Sequence, residues 1–326
     1  MTFIVLLALA LFFDFLNGFH DSSNVVATVI TSGAVRPRLA LILAAICHFI
    51  GPFAFGVAVA TTLGEDLLHD EAISAAVVIS ALFAAVIWNL ITWYIGLPSS
   101  SSHALIGGLL GAALVSGGLD VIRANGLLKI LLALFISPPI GLLAGYLVMR
   151  ITLWATRGAT PAVNGLFRRL QVVTLIGLAL SHGTNDAQKT MGVISMGLLA
   201  AGYLDRFEVP MWVIAASAGA IALGTSLGGW RLIRTLGGKI LRVRPVHGFT
   251  SQVAGALVIL TAALAGGPVS TTQVMSSTIM GVGAAERLNK VRWHVLGDLV
   301  TAWLLTIPVT AGLSALAYFA ARLIPA

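Results

Sequence analysis

The sequence predicts an all-α, polytopic integral membrane protein of about ten to twelve transmembrane helices, arranged as two inverted-topology repeats with discontinuous or re-entrant helices. Three observations carry that expectation. First, 58% of the 326 residues are hydrophobic and only 10% are charged, and the mean hydropathy is +0.99. A surface facing water needs far more polarity, so a soluble domain is excluded. Second, apolar stretches of about 20 residues, each enough to cross a hydrocarbon core roughly 30 Å thick, recur along the whole chain. Third, two polar motifs of the first half return in the same order in the second.

The apolar segments of spanning or near-spanning length, about ten in number, are Phe3 to Ile30, Leu39 to Leu63, Ala72 to Gly96, Ser99 to Val115, Leu127 to Met149, Val172 to Leu199, Trp212 to Leu227, Gly248 to Ala265, Val269 to Val282 and His294 to Phe319. The first of them opens on Met1 to Phe13, which is apolar without a basic leader. It runs into Asp14, Asn17, His20 and Asp21 without a small-residue cleavage site, so it reads as a retained membrane helix. The first, fourth, sixth and ninth segments stand apart because they carry polar clusters or are short and rich in Gly and Ser.

The net charge of +7 does not point to nucleic acid, because the basic residues lie in short loops beside apolar spans. Arg36 and Arg38, then Arg150, Arg157, Arg168 and Arg169, then Arg231, Arg234, Lys239, Arg242 and Arg244, and finally Arg287, Lys290 and Arg292 mark cytoplasmic turns. The acidic loop Glu65, Asp66, His69, Asp70, Glu71 reads as outside. Both termini then fall outside, residues 1–156 form a first repeat, 157–169 a central basic cytoplasmic loop and 170–326 a second repeat. An odd number of segments per half inverts the second copy. Arg123 and Lys129 fall on the outer side and run mildly against this orientation.

The repeat itself is explicit. Asn17-Gly18-Phe19-His20-Asp21-Ser22-Ser23-Asn24 is followed by Pro98-Ser99-Ser100-Ser101-Ser102-His103, and His182-Gly183-Thr184-Asn185-Asp186-Ala187-Gln188-Lys189 by Pro268-Val269-Ser270-Thr271-Thr272-Gln273. The spacing from aspartate to proline is nearly the same, and Gly111 and Gly281 also fall in register. Inverted repeats whose interrupted helices meet at the midplane mark secondary transporters.

An aspartate near the middle of a membrane helix costs roughly 2.5 to 3.5 kcal/mol on insertion scales, so Asp21 and Asp186 read as functional. The plain alternative for Asp186 is an internal ion pair with Lys189, one turn later; Asp21 has no cationic neighbour within a turn. Asn24, Asn185 and Gln188 add amide oxygens, a donor set that suits a hard cation such as sodium. Lys189 stays open between an ion-pair partner, a substrate contact and a snorkelling side chain. Pro98 and Pro268 set helix starts, where Ser100, Ser101, Ser102, Ser270, Thr271 and Thr272 place hydroxyls beside unpaired backbone N–H groups. Such a terminus attracts an oxyanion. Small residues that merely let helices pack closely are the plain alternative, but a run of hydroxyls beside a proline in both halves favours a ligand.

Two carboxylates and two hydroxyl-lined helix starts converging on one site fit a tetrahedral oxyanion, provided bound cations offset the like charges. Coupling follows, with anion and cation crossing together by alternating access. No Walker motif occurs, so an ion gradient is the expected driving force, and no cofactor is expected. Cys47, the single cysteine, excludes an internal disulfide and a thiolate cluster. The seven histidines show no His-Glu-x-x-His spacing. An intramembrane hydrolase using Ser102 and His103 is disfavoured, because adjacent helical residues point apart and no nucleophile elbow accompanies them. A permease for sulfate or another tetrahedral oxyanion on the same scaffold is the nearest alternative, and a passive anion channel is a further one.

These motifs resemble the inorganic phosphate transporter (PiT) family, in its compact bacterial low-affinity permease type. The resemblance rests on Asn17 to Asp21, Gly96 to His103, Ser181 to Lys189 and Pro268 to Thr272, and covers essentially the full chain. It implies uptake of phosphate, free or as a metal-phosphate complex, with protons or sodium across the bacterial inner membrane, and leaves a homodimer open. It also implies that Ser100, Ser101, Ser102, Ser270, Thr271 and Thr272 contact phosphate. Asp21, Asn24, Asn185 and Asp186 would carry the coupling cation, sodium or proton, with His20, Gln188 and Lys189 as auxiliaries. Two departures are visible: His20-Asp21-Ser22-Ser23-Asn24 replaces an Asn-Asp-x-Ala-Asn type, and Gln273 stands where a histidine is often found. His20 in place of an amide favours protons over sodium.

Overall fold

Every apolar segment expected from the sequence is helical in the computed structural model, which describes residues 2–323. The α-helices are α1 (Thr2–Thr31), α2 (Pro37–Ala54), α3 (Ala58–Gly64), α4 (Ala75–Ile95), α5 (Ser101–Gly117), α6 (Ala124–Ala155), α7 (Val163–Ala200), α8 (Met211–Leu227), α9 (Trp230–Gly238), α10 (Pro245–Leu264), α11 (Thr271–Glu286) and α12 (Trp293–Leu323). Among the described residues, seven helices are long and apolar enough to cross a membrane: α1, α2, α4, α6, α7, α10 and α12. The pair α8 and α9, bent by 72°, makes an eighth if it counts as one span.

That is fewer full crossings than the ten apolar segments suggest, and helix length is the reason. At 17 and 16 residues, α5 and α11 reach only about 25 Å at 1.5 Å per residue. Their starts are fixed by side chains: the Ser100 hydroxyl accepts from the N–H of His103 and the Ser270 hydroxyl from that of Gln273. The second expected segment is broken between α2 and α3, where Gly56 takes φ of 78°, and α8 gives way to α9 at Gly228, φ 72°. The stretch read as a basic loop after Leu227 is the amphipathic helix α9, with Leu232, Ile233 and Leu236 buried and Arg231 and Arg234 exposed. Arg231 lies 5.5 and 5.4 Å from the ring centres of Trp93 and Tyr94 and donates to the Tyr94 carbonyl. Most of the expected central loop 157–169 is likewise the start of α7.

Packing is reciprocal between the two halves of the chain. Helix α1 lies on α8 and α7 on α2; α5 lies on α12 and α11 on α6; α9 touches α1 and α3 touches α7. Glycines allow the close approaches. A Cβ on Gly18 would fall 2.1 Å from the Ile221 carbonyl oxygen, and one on Gly51 would fall 2.5 Å from that of Leu180. The in-register pair behaves alike: Gly111 abuts the Ala311 carbonyl and Gly281 that of Leu142, where a Cβ would sit at 2.2 and 2.0 Å. Backbone cannot yield as a side-chain tip can, so Gly281→Ala is expected to destabilise the fold by about 1–3 kcal/mol. Thermal denaturation in detergent checks this; an unchanged midpoint would show that α6 and α11 separate freely.

Outward faces carry the remaining apolar surface, as at Ile42, Leu143 and Leu223, each more than half exposed and suited to lipid. The connections pair off as well. Lys129 donates to Asp66 at 3.1 Å and to Thr62 at 3.0 Å, and Arg123 Nε donates to the Leu68 carbonyl at 3.1 Å. The acidic loop therefore engages the two basic residues that ran against the expected orientation. Elsewhere Glu286, at the end of α11, meets Lys290 at 2.8 Å, His247 at 3.0 Å and Arg244. Its partial burial raises the carboxyl's pKa, but hydrogen bonds from Lys290, Arg244 and His247 outweigh that and hold it near about 2.

Candidate functional site

The four segments singled out in the sequence, now α1, α5, α7 and α11, supply the polar interior. All thirteen site residues expected from the sequence are at most 2% exposed. Polar side chains are placed there because α1 and α7 touch, and because the starts of α5 and α11 face each other: Ser102 donates to the Val269 carbonyl at 3.1 Å, and the Gln273 amide lies 3.4 Å from His103 Nε2. The two residues that occupy equivalent places in the two motifs, His103 and Gln273, thus meet.

The Asp21 carboxylate collects three donors. The Thr272 hydroxyl and His20 Nδ1 lie 3.1 and 2.9 Å from Oδ1, and the Ser101 hydroxyl lies 3.0 Å from Oδ2. Asn24 extends this set, its amide donating to Thr272 Oγ1 at 2.9 Å. Asp186 is held differently. Lys189 Nζ lies 2.5 Å from its Oδ1, while Oδ2 accepts from Thr271 at 3.1 Å and lies 3.3 Å from His182 Nε2. Each carboxylate thus takes a hydroxyl from the helix start of its own half, Ser101 for Asp21 and Thr271 for Asp186, and Thr272 crosses over to Asp21. Such charge-assisted bonds are worth roughly twice a neutral one.

Of the open assignments, Lys189 resolves as an ion-pair partner inside the site, 1% exposed. Gln188 does not offer its oxygen to a cation: that oxygen accepts from the N–H groups of Val59 at 2.7 Å and Ala60 at 3.3 Å, holding the start of α3. Ser22 does the same across the halves, accepting from the Gly229 N–H at 3.0 Å beside α9. Asn24 and Asn185 keep their amide oxygens without a hydrogen-bond partner, Asn185 donating to the Gly267 carbonyl at 3.2 Å. Ser100 also accepts from, or donates to, His103 Nδ1 at 2.7 Å, so its hydroxyl is engaged twice.

Sequence reasoning missed a histidine pair. His182 and His48 stack with ring centres 4.9 Å apart, and His48 Nδ1 lies 2.7 Å from the Thr225 hydroxyl. One ligand atom each from Asp21, His182 and Asp186 falls within 4.8 Å of the others, a spacing that can hold a cation. His182 stands in the second motif four residues before Asp186, one helical turn, and that spacing was the signal. His48 had none, since Gly183 brings it in: a Cβ there would meet the His48 Cα at 2.6 Å. Asp14 and Asn17, also buried on α1, and Thr190 on α7 were not assigned a role.

Comparison with known proteins follows the same lines. The sequence model of the "Phosphate transporter family" matches residues 17–161 and 155–314. A "probable low-affinity inorganic phosphate transporter" of Rhizobium meliloti (strain 1021) is 46% identical over 98% of this chain and 96% of its own length. A protein of the same description from Bacillus subtilis (strain 168) is 43% identical over 98% and 97%. Among solved structures, one titled "The sodium-dependent phosphate transporter" superposes with a TM-score of 0.90 at 25% identity, covering 99% of this chain and 100% of that one.

Proposed function

The chain belongs to the phosphate transporter family, and on that premise we propose that it takes up inorganic phosphate by symport with sodium ions or protons. Phosphate is the transported substrate, and the protein crosses the membrane several times. The observation that supports coupling is the juxtaposition of Asp21 and Asp186 with the hydroxyls that open α5 and α11, in a site closed to solvent. Phosphate is an anion, and it enters a poorly solvated space already holding two carboxylates. Lys189 offsets one of them. Exchangeable cations must offset the rest, so phosphate binds well only in their company. His182 joins Asp21 and Asp186 as a cation ligand in this reading, and Asn24 and Asn185 offer amide oxygens beside them.

The reciprocal packing suits alternating access: counting α5, α11 and the bent pair α8–α9 as one span each gives five spans per half, which makes residues 1–156 and 170–326 inverted repeats with both termini outside, in the bacterial inner membrane. Ser101, Thr271 and Thr272 turn from the carboxylates, and Ser102 from the Val269 carbonyl, to phosphate when it enters. Ser100 and Ser270 hold the two helix starts whose N–H groups face the anion. Radiolabelled phosphate uptake into proteoliposomes under imposed proton or sodium gradients, with sulfate as competitor and magnesium present or absent, tests the proposal. Gradient-driven accumulation that resists sulfate is expected. Uptake blocked by sulfate, or indifferent to both gradients, would assign another oxyanion or a passive path; accumulation only with magnesium would make the metal-phosphate complex the cargo.

A further inference from the structure

The carboxylates of the phosphate site are not the only ones inside the protein. Asp14 lies on α1 seven residues before Asp21, so on the same face and about 10 Å further along the helix. It is fully buried, and neither of its oxygens closes a hydrogen bond. The side chains of Asn17, on the same helix, and Thr190, on α7, flank it. Both are fully buried too, and the Asn17 amide and the Thr190 hydroxyl approach the carboxylate without closing a hydrogen bond of ordinary length to it or to any other group. Asp21 and Asp186, by contrast, are supplied with donors.

Unpaired buried polar groups are rare, and each one calls for an explanation such as a bound ion or water. Here three such groups on two touching helices come together around one carboxylate. The other charges that face Asp14 are Asp186 and Lys189, and the Lys189 ammonium is committed to Asp186 at 2.5 Å. Charge counting agrees, because among the described residues the interior holds three carboxyl groups, Asp14, Asp21 and Asp186, and one ammonium, Lys189.

We propose that Asp14, Asn17 and Thr190 form a second coupling site, separate from the Asp21 and Asp186 centre, which takes one monovalent cation, a sodium ion or a proton. A carboxylate, an amide and a hydroxyl offer the oxygens that such a cation requires. One carboxylate near an ammonium is too little negative charge for a divalent ion. The site lies on α1 and α7, the two helices that carry the motifs, so its occupancy is linked to phosphate through the same pair of helices. This proposal rests on the phosphate-symport reading.

The test measures charge moved per phosphate, from reversal potentials, in proteoliposomes of the full chain. Asp14→Asn should lower the ratio by one elementary charge while phosphate exchange between equal concentrations continues. A loss confined to the sodium arm identifies sodium; a loss confined to the proton arm identifies the proton. An unchanged ratio in both arms overturns the proposal. If Asp14→Asn does not fold, Thr190→Val serves in its place, and it should raise the half-saturating cation concentration without lowering the maximal rate; no change in either quantity overturns the proposal. A wild-type protein that transports no phosphate sinks the symport reading instead. The site is then read by thermal stability in sodium against choline chloride and across pH, where wild type should respond more than Asp14→Asn, which keeps the Asp21, His182 and Asp186 cluster; equal responses overturn the proposal.

Discussion

Gradient-driven phosphate uptake is expected to fall by at least about a hundredfold in Asp21→Asn and in Asp186→Asn, equivalent to roughly 2.7 kcal/mol. The magnitude follows from the partners. Asp21 gathers Thr272, Ser101 and His20, and hydrogen bonds to a charged group contribute about 1.5–3 kcal/mol each. An amide in its place presents an NH2 to donors that expect an acceptor. The cation loses a carboxylate oxygen at the same step. A second consequence separates lost coupling from lost folding. With one negative charge removed, phosphate no longer needs a cation to offset it, so residual binding should become less dependent on sodium or pH. Uptake assays beside phosphate-binding titrations, on protein that elutes as a single species, read both effects. Uptake within threefold of wild type for either variant would remove these carboxylates from the coupling mechanism.

Much of this site was legible in the sequence because it is duplicated. Two motifs in one order, at one spacing, placed Asp21, Asp186 and the two hydroxyl runs together before any coordinates, and the structure joins them by direct hydrogen bonds. Helix positions were legible for a simpler reason, since an apolar run in lipid has few alternatives to a helix. The interruptions were harder to read. The break between α2 and α3 sits at Gly56, in a run that hydropathy treats as continuous, and α9 was hidden because Arg231 and Arg234 look like a loop when the buried face of Leu232, Ile233 and Leu236 is not considered. Gln188 misled for a related cause: an amide beside a carboxylate reads as a ligand until the start of α3 is seen to occupy it. His48 comes from a helix with no motif, and only the contact of α2 with α7 delivers it.

Duplication also shows where the halves differ, and Lys189 is the sharpest case. Aligning Asp21 with Asp186 places Lys189 opposite Asn24, so one carboxylate has a tethered ammonium where the other has a bridging amide. Lys189→Met is expected to cost about 3–5 kcal/mol, because it strands the fully buried Asp186 without its charge partner. His182, 3.3 Å away, and Thr271 remain, and neither replaces a fixed positive charge. The pair itself contributes much less than that loss suggests, since desolvating both charges offsets most of their attraction. The double variant Lys189→Met with Asp186→Asn should therefore regain most of the lost stability and stay inactive in uptake. A double-mutant cycle on thermal unfolding, run beside proteoliposome transport, separates the two. Additive losses of stability would mean that Lys189 and Asp186 act independently, and recovered uptake in the double variant would reduce both residues to scaffolding.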